Sequence, residues 1–287
     1  MKKHIVSDTD EIRIDKYLSS ITPDLTRSDI SKLFDKELVL VNRKPVKQSY
    51  KLKLGDKIDF TYEKARFKPQ SGVDIPIIYE DKDVIVIDKP NGILSHSKGK
   101  DNSEQTVEMF IHDKLVDNDY PRAGIVHRLD RATSGVMICA KTRESYKFLQ
   151  SQFSLRKVSK VYYAIVEGHF DVRSAIIDLS IMRDQKNQSR FKVDSRGKNA
   201  LTQYLVTKEN SKHTLLELEP KTGRTHQLRV HMKYLKHPIV GDSFYDGEAA
   251  DRLYLHAGKL AIKLPNGKTS IFESKMPDSF NQKMKYN

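Results

Sequence analysis

The sequence predicts a mixed α/β chain of two domains, a small one followed by a larger one. Three observations carry that expectation. The chain has 287 residues, more than a single domain of roughly 100–200 residues uses. Apolar residues recur at helical spacing near the start, and from Ile77 onward the pattern changes to a mixture of strands and helices. Between these regions KARFKPQSGVDIP has no periodicity, two prolines and a glycine, and it reads as a linker. The expected division is a small domain over 12–62, a linker over 63–76 and a larger domain over 77–287.

In the small domain, Ile14, Tyr17, Leu18 and Ile21 share one helical face. After PDL, Thr26 and Asp29 form a capping-box pair ahead of Ile30, Leu33 and Phe34, so a second helix follows. ELVLVNRKPV reads as a strand and turn, and Leu52, Leu54 and GDKIDF as a further strand. So short a unit buries little apolar area and suits a binding module tethered to something larger. In the larger domain, IIYEDKDVIVIDKP reads as two strands around an acidic turn and VMICA as a buried strand. TRESYKFLQSQF is a helix capped by Thr142, with Tyr146, Leu149 and Phe153 on one face. KVYYAIVEG and HTLLELEP alternate as strands, and Thr225 is the expected cap of a helix carrying Leu228, Met232 and Leu235. No fixed-period repeat or low-complexity segment interrupts this order.

Lys and Arg number 51 against 38 Asp and Glu, a formal net charge of +13. That excess favours polyanionic partners, of which nucleic acid is the commonest. A membrane partner would need a spanning segment or a basic amphipathic anchor, but runs such as Val84–Ile87 and Val136–Ala140 are far shorter than the roughly 20 residues required. The opening MKKHIVSDTDEIR has no apolar core behind its lysines, so no secretory signal is expected. The single cysteine, Cys139, cannot form an internal disulfide and reads as a buried structural thiol, in keeping with a cytoplasmic location.

Three segments concentrate reactive groups: HRLD at 127–130, KVYY at 160–163 and KTGRTHQLRVH at 221–231. Asp130 stands between Arg128 and Arg131 just ahead of an apolar strand. Arg224 precedes the predicted helix, a place that attracts an anion such as a phosphate or Asp130 itself. A carboxylate paired with an arginine stays ionised at cellular pH, as Asp130 would if it pairs with Arg224. HRLD has a different order from the kinase catalytic loop, and no glycine-rich nucleotide loop is present. His226 and His231 lie five apart, with poor two-ligand zinc geometry.

RIDKYLS, TRSDISKLF, VLVN and KLKLGDKI, in that order, resemble an S4-type RNA-binding domain. The resemblance implies RNA contacts from Arg13, Arg27, Ser28, Lys32, Asn42, Arg43 and Lys44. Glu37 and Arg43 replace glycines usual in that family, and Asn42 is expected to take the left-handed conformation. GIVHRLDRATSGVMICAKT, SKVYYAIVEG, GKNALTQY, KTGRTHQLRVH, HPIVGDSFYDG and RLYLHAGKLAI are similar to the RluA-type pseudouridine synthases, which isomerise uridine in structured RNA.

That resemblance implies a catalytic domain on a largely antiparallel sheet, with Asp130 as the essential carboxylate, oriented by Arg224, and Tyr162 of the K-x-Y motif as a face for the target base. Arg128, Lys160 and Leu228 are expected at the substrate. Because the reaction is neither redox nor net hydrolysis, no cofactor or metal is implied. Ribosomal RNA, particularly of the large subunit, is the expected partner, with transfer RNA as the alternative, and the chain is expected to work as a monomer. Two rivals are a non-catalytic ribosome-assembly factor and a hydrolase that releases uracil.

Overall fold

The computed structural model describes residues 2–5, 11–22, 25, 27–62, 74–97, 104–116 and 124–285, with the backbone course alone for 2–5, 27 and 28. The expected Thr26 cap and most of the expected linker lie outside these residues. The described residues up to Tyr62 and those from Asp74 to Val116 and from Gly124 onward form two compact units.

The first unit contains β1 (Lys2–Ile5), α1 (Ile14–Ile21), α2 (Arg27–Asp35), β2 (Val39–Val41), β3 (Lys44–Pro45) and β4 (Lys57–Phe60). The strands form an antiparallel sheet in the order β1-β4-β2-β3. Ile14, Leu18, Ile30 and Leu33 from the helices pack with Val39, Val41, Ile58 and Phe60 from the strands. Leu54 lies in the turn before β4 and is exposed rather than part of a strand.

Left-handed backbone occurs at Glu37, Asn42 and Arg43, with φ of 55°, 51° and 66°, and not at Asn42 alone. Asn42 and Arg43 are the two central residues between β2 and β3, and a two-residue hairpin matching the strand twist needs positive φ at both. Asn42 is locked there by its amide, which donates to Asp56 at 2.8 Å and accepts from the Lys57 amide at 3.0 Å.

The second unit runs through β5 (Ile77–Glu80), β6 (Val84–Lys89), α3 (Val107–His112), β7 (Ser134–Ala140), α4 (Arg143–Ser154), β8 (Ser159–Glu167), β9 (Ser174–Asp178), β10 (Ile181–Arg183) and β11 (Phe191–Val193). It continues through β12 (Leu201–Glu209), β13 (His213–Pro220), α5 (Gln227–Tyr234), β14 (Leu255–Lys263), β15 (Thr269–Glu273) and α6 (Asp278–Lys283). A nine-stranded sheet in the order β5-β6-β7-β14-β8-β13-β12-β9, with β15 on β14, forms its centre. The pairing is antiparallel except between β7 and β14, and β10–β11 forms a separate hairpin.

The sheet explains why the apolar runs fall where they do. All seven residues of β7 are buried, so VMICA is apolar at every position instead of alternating. Cys139 lies there, and burial pushes its thiol pKa up. Gly135 opens β7 at φ 114°, where a Cβ would come within 2.2 Å of the Ala257 carbonyl oxygen. Only glycine permits that approach of β7 to β14. Thr142 caps α4 in a reciprocal pair with Ser145, as the sequence predicts. Among the described residues no helix is long and apolar enough to cross a membrane.

Candidate active site

The turn that carries Asp130 is tied down on every side by backbone chemistry. Ser95 Oγ donates to the Leu129 carbonyl at 2.8 Å and accepts from the Leu129 amide at 3.1 Å. The Gly92 amide donates to the Arg131 carbonyl at 2.9 Å, and the Thr133 amide to that of Asp130 at 3.0 Å. His127 accepts from the Ile138 amide at 3.0 Å and stacks on Phe153 of α4, with ring centroids 4.5 Å apart. Its role is thus structural, as its place at the start of the turn suggests.

Beneath the turn lies Lys89, with no exposed surface. Its ammonium donates to the carbonyls of Pro90 and Ile93 at 2.8 Å each and of Arg131 at 3.2 Å. Burial pulls its pKa down to about 7, opposed by the charge of Asp130. Three carbonyls matched to three N–H donors satisfy the ammonium, so the charge sits where it can hold two loops together.

Asp130 opens into a cavity of about 440 Å³ lined also by Arg128, Arg156, Lys160, Tyr162, Lys221, Arg224, His226, Leu228 and Arg229. Its partner is Arg229 rather than Arg224. Arg229 Nη1 donates to Asp130 Oδ2 at 3.3 Å, while Nε and Nη2 form a two-pronged pair with Asp242 at 2.7 Å each. Although burial pulls the guanidinium down, the pairs with Asp242 and Asp130 carry its pKa above the ordinary value. Arg224 instead sends Nε to the Asn199 carbonyl at 3.0 Å.

The difference follows from where the helix begins. Thr225 is not its cap: α5 starts at Gln227, preceded by His226 in the left-handed region at φ 56°. Gln227 Oε1 accepts from the Arg224 amide at 3.0 Å and from Thr222 Oγ1 at 2.7 Å. Its Nε2 donates to the Leu201 carbonyl and to Thr202 Oγ1 at 3.0 Å each. The loop therefore turns at His226, leaving Arg224 on the approach and bringing Arg229, inside the first turn, to the carboxylate.

The remaining expected residues divide clearly. Tyr162 lines the cavity, and burial together with Asp130 raises its phenol pKa, so the phenol is neutral. Tyr163, one position on, packs its ring over Gly258, where a Cβ would lie 2.3 Å from it. Lys160 lines the same cavity, and burial lowers its pKa to about 8. Leu228 both lines the cavity and belongs to the core, whereas Arg128 is exposed and lines the cavity without an ion pair to any described residue. His226 and His231 diverge: Nε2 of the first lies 3.8 Å from Asp130, and Nδ1 of the second pairs with Thr202 at 2.9 Å.

In the first unit Arg43 and Lys44 are exposed, but Arg13 commits its guanidinium to Asp15 at 2.9–3.0 Å. Asn42 spends its amide within the hairpin, contrary to the expected RNA contact from that side chain. Lys32 is half-buried on α2, and the side chains of Arg27 and Ser28 lie outside what is described. Arg229 and Lys89 were not singled out by sequence reasoning, and His226 was weighed there only as a zinc ligand. The signals available were polar residues alternating through HQLRVHM and a lysine closing the apolar run of β6.

A partly exposed carboxylate facing a cavity lined by arginines and lysines is an arrangement suited to a phosphate-bearing substrate. The model of the RNA pseudouridylate synthase family matches residues 83–234, and that of the S4 domain residues 12–58. The chain belongs to the pseudouridine synthases of the RluA type and carries an S4 domain. It is 40% identical to ribosomal large subunit pseudouridine synthase D of Borreliella burgdorferi, over 98% of this chain and 91% of that one. It is 38% identical to the Escherichia coli K12 protein of the same name, over 82% and 73% of the respective chains. The solved structure of human RNA pseudouridylate synthase domain containing 4 is similar at 26% identity and a TM-score of 0.58, covering 72% of this chain and 90% of that one.

Proposed function

We propose that the chain isomerises specific uridines to pseudouridine in ribosomal RNA of the large subunit, working as a cytoplasmic monomer with Asp130 as the reacting carboxylate and no cofactor. The observation that carries this reading is Asp130 itself, partly exposed to a basic cavity and paired through one oxygen with the buried Arg229. The relatives named for large-subunit RNA support the choice of substrate. In the reaction the N1–C1′ bond breaks and a C5–C1′ bond forms, N1 gains a proton and C5 loses one, with no net change in electrons. Attack on C1′ and removal of the C2′ proton both require an ionised carboxylate beside the sugar.

A uridine in folded RNA reaches this cavity only after flipping, at a cost of about a few kcal/mol in lost stacking and pairing. Arg128 fills the vacated space or takes a flanking phosphate. Tyr162 offers its face to the uracil; assisting C5 deprotonation would require it to lose a proton that burial and Asp130 both hold in place. Arg224 and Lys160 bind phosphate, Leu228 packs against the base, and exposed cations of the S4 unit, Arg43 and Lys44 among them, contact the RNA.

The decisive assay is tritium release from ribosomal and transfer RNA labelled at uridine C5. Release from large-subunit RNA is expected, since joining C5 to C1′ expels that hydrogen. Release from transfer RNA alone would overturn the substrate assignment, and free uracil would indicate a hydrolase. Lys160 adds a pH dependence. As a base whose pKa in the folded chain is about 8, it is charged at pH 7 and loses that charge as pH rises to 9. RNA affinity should fall roughly fivefold over that interval, equivalent to about 1 kcal/mol. Lys160→Met should bind more weakly at pH 7 and show a flatter profile; identical profiles in titration binding assays would remove Lys160 from the RNA contact.

A further inference from the structure

His226 lines the cavity from a left-handed backbone conformation, at φ 56° and ψ 18°. A non-glycine residue stays there when its surroundings over-determine it. Here the surroundings are aromatic: Phe191, Phe244 and Tyr245 meet the imidazole edge-on at centroid distances of 5.8, 5.8 and 5.6 Å. Nδ1 lies 2.8 Å from the hydroxyl of the buried Tyr245, and the Phe191 amide donates to the same hydroxyl at 3.0 Å. Nε2 lies 3.8 Å from Asp130 Oδ2.

The hydrogen-bond inventory assigns the protons. A phenol has one hydrogen to donate and two lone pairs. Phe191 N–H occupies one lone pair of the Tyr245 oxygen, and among the described residues His226 Nδ1 is the acceptor within reach of its hydrogen. Nδ1 is then unprotonated, and in a neutral ring the proton is on Nε2, facing Asp130. Burial favours the neutral ring: it lowers the pKa below the ordinary histidine value against the pull of Asp130 and Asp242, while Arg229 and Arg128 act in the same direction as burial. Both Nε2–H and Arg229 Nη1 approach Oδ2 of the carboxylate, and no described donor reaches Oδ1.

We propose that His226 is a positioning residue for Asp130: its ring, with the proton placed on Nε2 by the Tyr245 hydroxyl, restrains Oδ2 beside Arg229 and presents Oδ1 to the substrate. This rests on the reading of Asp130 as the reacting carboxylate. The same chain of contacts ends at Phe191 of the β10–β11 hairpin, where Arg183 stacks on the Phe191 ring at 4.9 Å and Arg190 lies over Phe244 at 5.3 Å. A basic hairpin and the carboxylate are thus joined through Tyr245 and His226.

Three variants separate positioning from bulk structure. Asparagine tolerates left-handed backbone and keeps a polar atom near the Nδ1 position, but reaches no further. His226→Asn should lower single-turnover kcat on C5-tritiated ribosomal RNA about 10- to 100-fold, with RNA affinity changed less than about threefold. His226→Gln, whose amide nitrogen extends to the Nε2 position, should recover most of that loss, and Tyr245→Phe should fall between wild type and His226→Asn. Equal losses in the Asn and Gln variants, or a fall in affinity as large as the fall in turnover, would overturn the proposal.

A second measurement is independent of turnover. Long-range proton–nitrogen spectra of the histidine-labelled full chain, with His226 assigned by its absence in His226→Asn, should show an Nε2–H tautomer that responds to Asp130→Asn and becomes mixed in Tyr245→Phe. An Nδ1–H tautomer in the wild type would sink the assignment. Absence of tritium release by wild type, with an Nε2–H signal that still responds to Asp130→Asn, would remove the isomerase reading and leave the His226–Asp130 contact standing.

Discussion

Asp130→Asn should abolish tritium release, with a loss on the order of 10⁴-fold or more, the scale seen when a carboxylate or nucleophile of a catalytic group is removed. The fold should barely notice. Asp130 makes one long contact to Arg229, at 3.3 Å, while Arg229 keeps both prongs on Asp242. An asparagine oxygen can still accept from Nη1, so the stability cost should stay near 1 kcal/mol. RNA affinity, set by the basic walls, should change less than about threefold. Thermal unfolding, RNA titration and tritium release on one preparation test all three. Binding lost as deeply as turnover would show that Asp130 holds the cavity together rather than reacting in it.

Arg229→Met should act in the opposite proportion, damaging both stability and catalysis. The guanidinium side chain is 9% exposed and serves two carboxylates, of which Asp242 is 1% exposed. Removing it leaves a buried negative charge uncompensated, at a cost of about 3–5 kcal/mol. For a unit of this size that corresponds to a fall in melting temperature of roughly 6–20 °C. Lysine is a poor substitute, since a single ammonium cannot match the two-pronged geometry at Asp242. The double variant Arg229→Met with Asp242→Asn should regain part of the stability, because the stranded charge is gone, without regaining turnover. Calorimetry showing a drop under about 1 °C for Arg229→Met would mean that the pair with Asp242 contributes little to the fold. By contrast, Arg224→Ala should leave stability nearly unchanged, since the half-buried Arg224 makes one bond, to the Asn199 carbonyl.

The contrast between the two arginines shows where reading a sequence stops. Both lie within KTGRTHQLRVH, and Arg224 stood at the more inviting place, ahead of a predicted helix with Thr225 as its cap. Gln227 reverses that choice by reaching back to the Arg224 amide and to Thr222, so that the chain turns at His226 and the helix begins after it. Propensity favours threonine as a cap, but a glutamine bonded at four atoms across β12 and the loop outweighs one local bond.

Elements whose sequence pattern is local were legible from the sequence. The Thr142 cap and its helix and the continuous apolar run of β7 stand as the sequence reads, and β8 and β13 are strands, although their burial does not alternate as the sequence suggests. The position of Asp130 ahead of β7 was equally plain, as was the excess of positive charge. Tertiary structure alone decided which groups meet that carboxylate. Arg229 and Asp130 are 99 residues apart, and their meeting depends on the placement of α5 and on the β7–β14 junction that Gly135 allows. Lys89 became a buried tie between two loops for the same reason: three carbonyls from Pro90, Ile93 and Arg131 converge on one ammonium only after β6 and the Asp130 turn are packed together. Spacing along a chain encodes which face a side chain occupies; which partner it finds across the core depends on register and loop path, and these are settled when the whole unit folds.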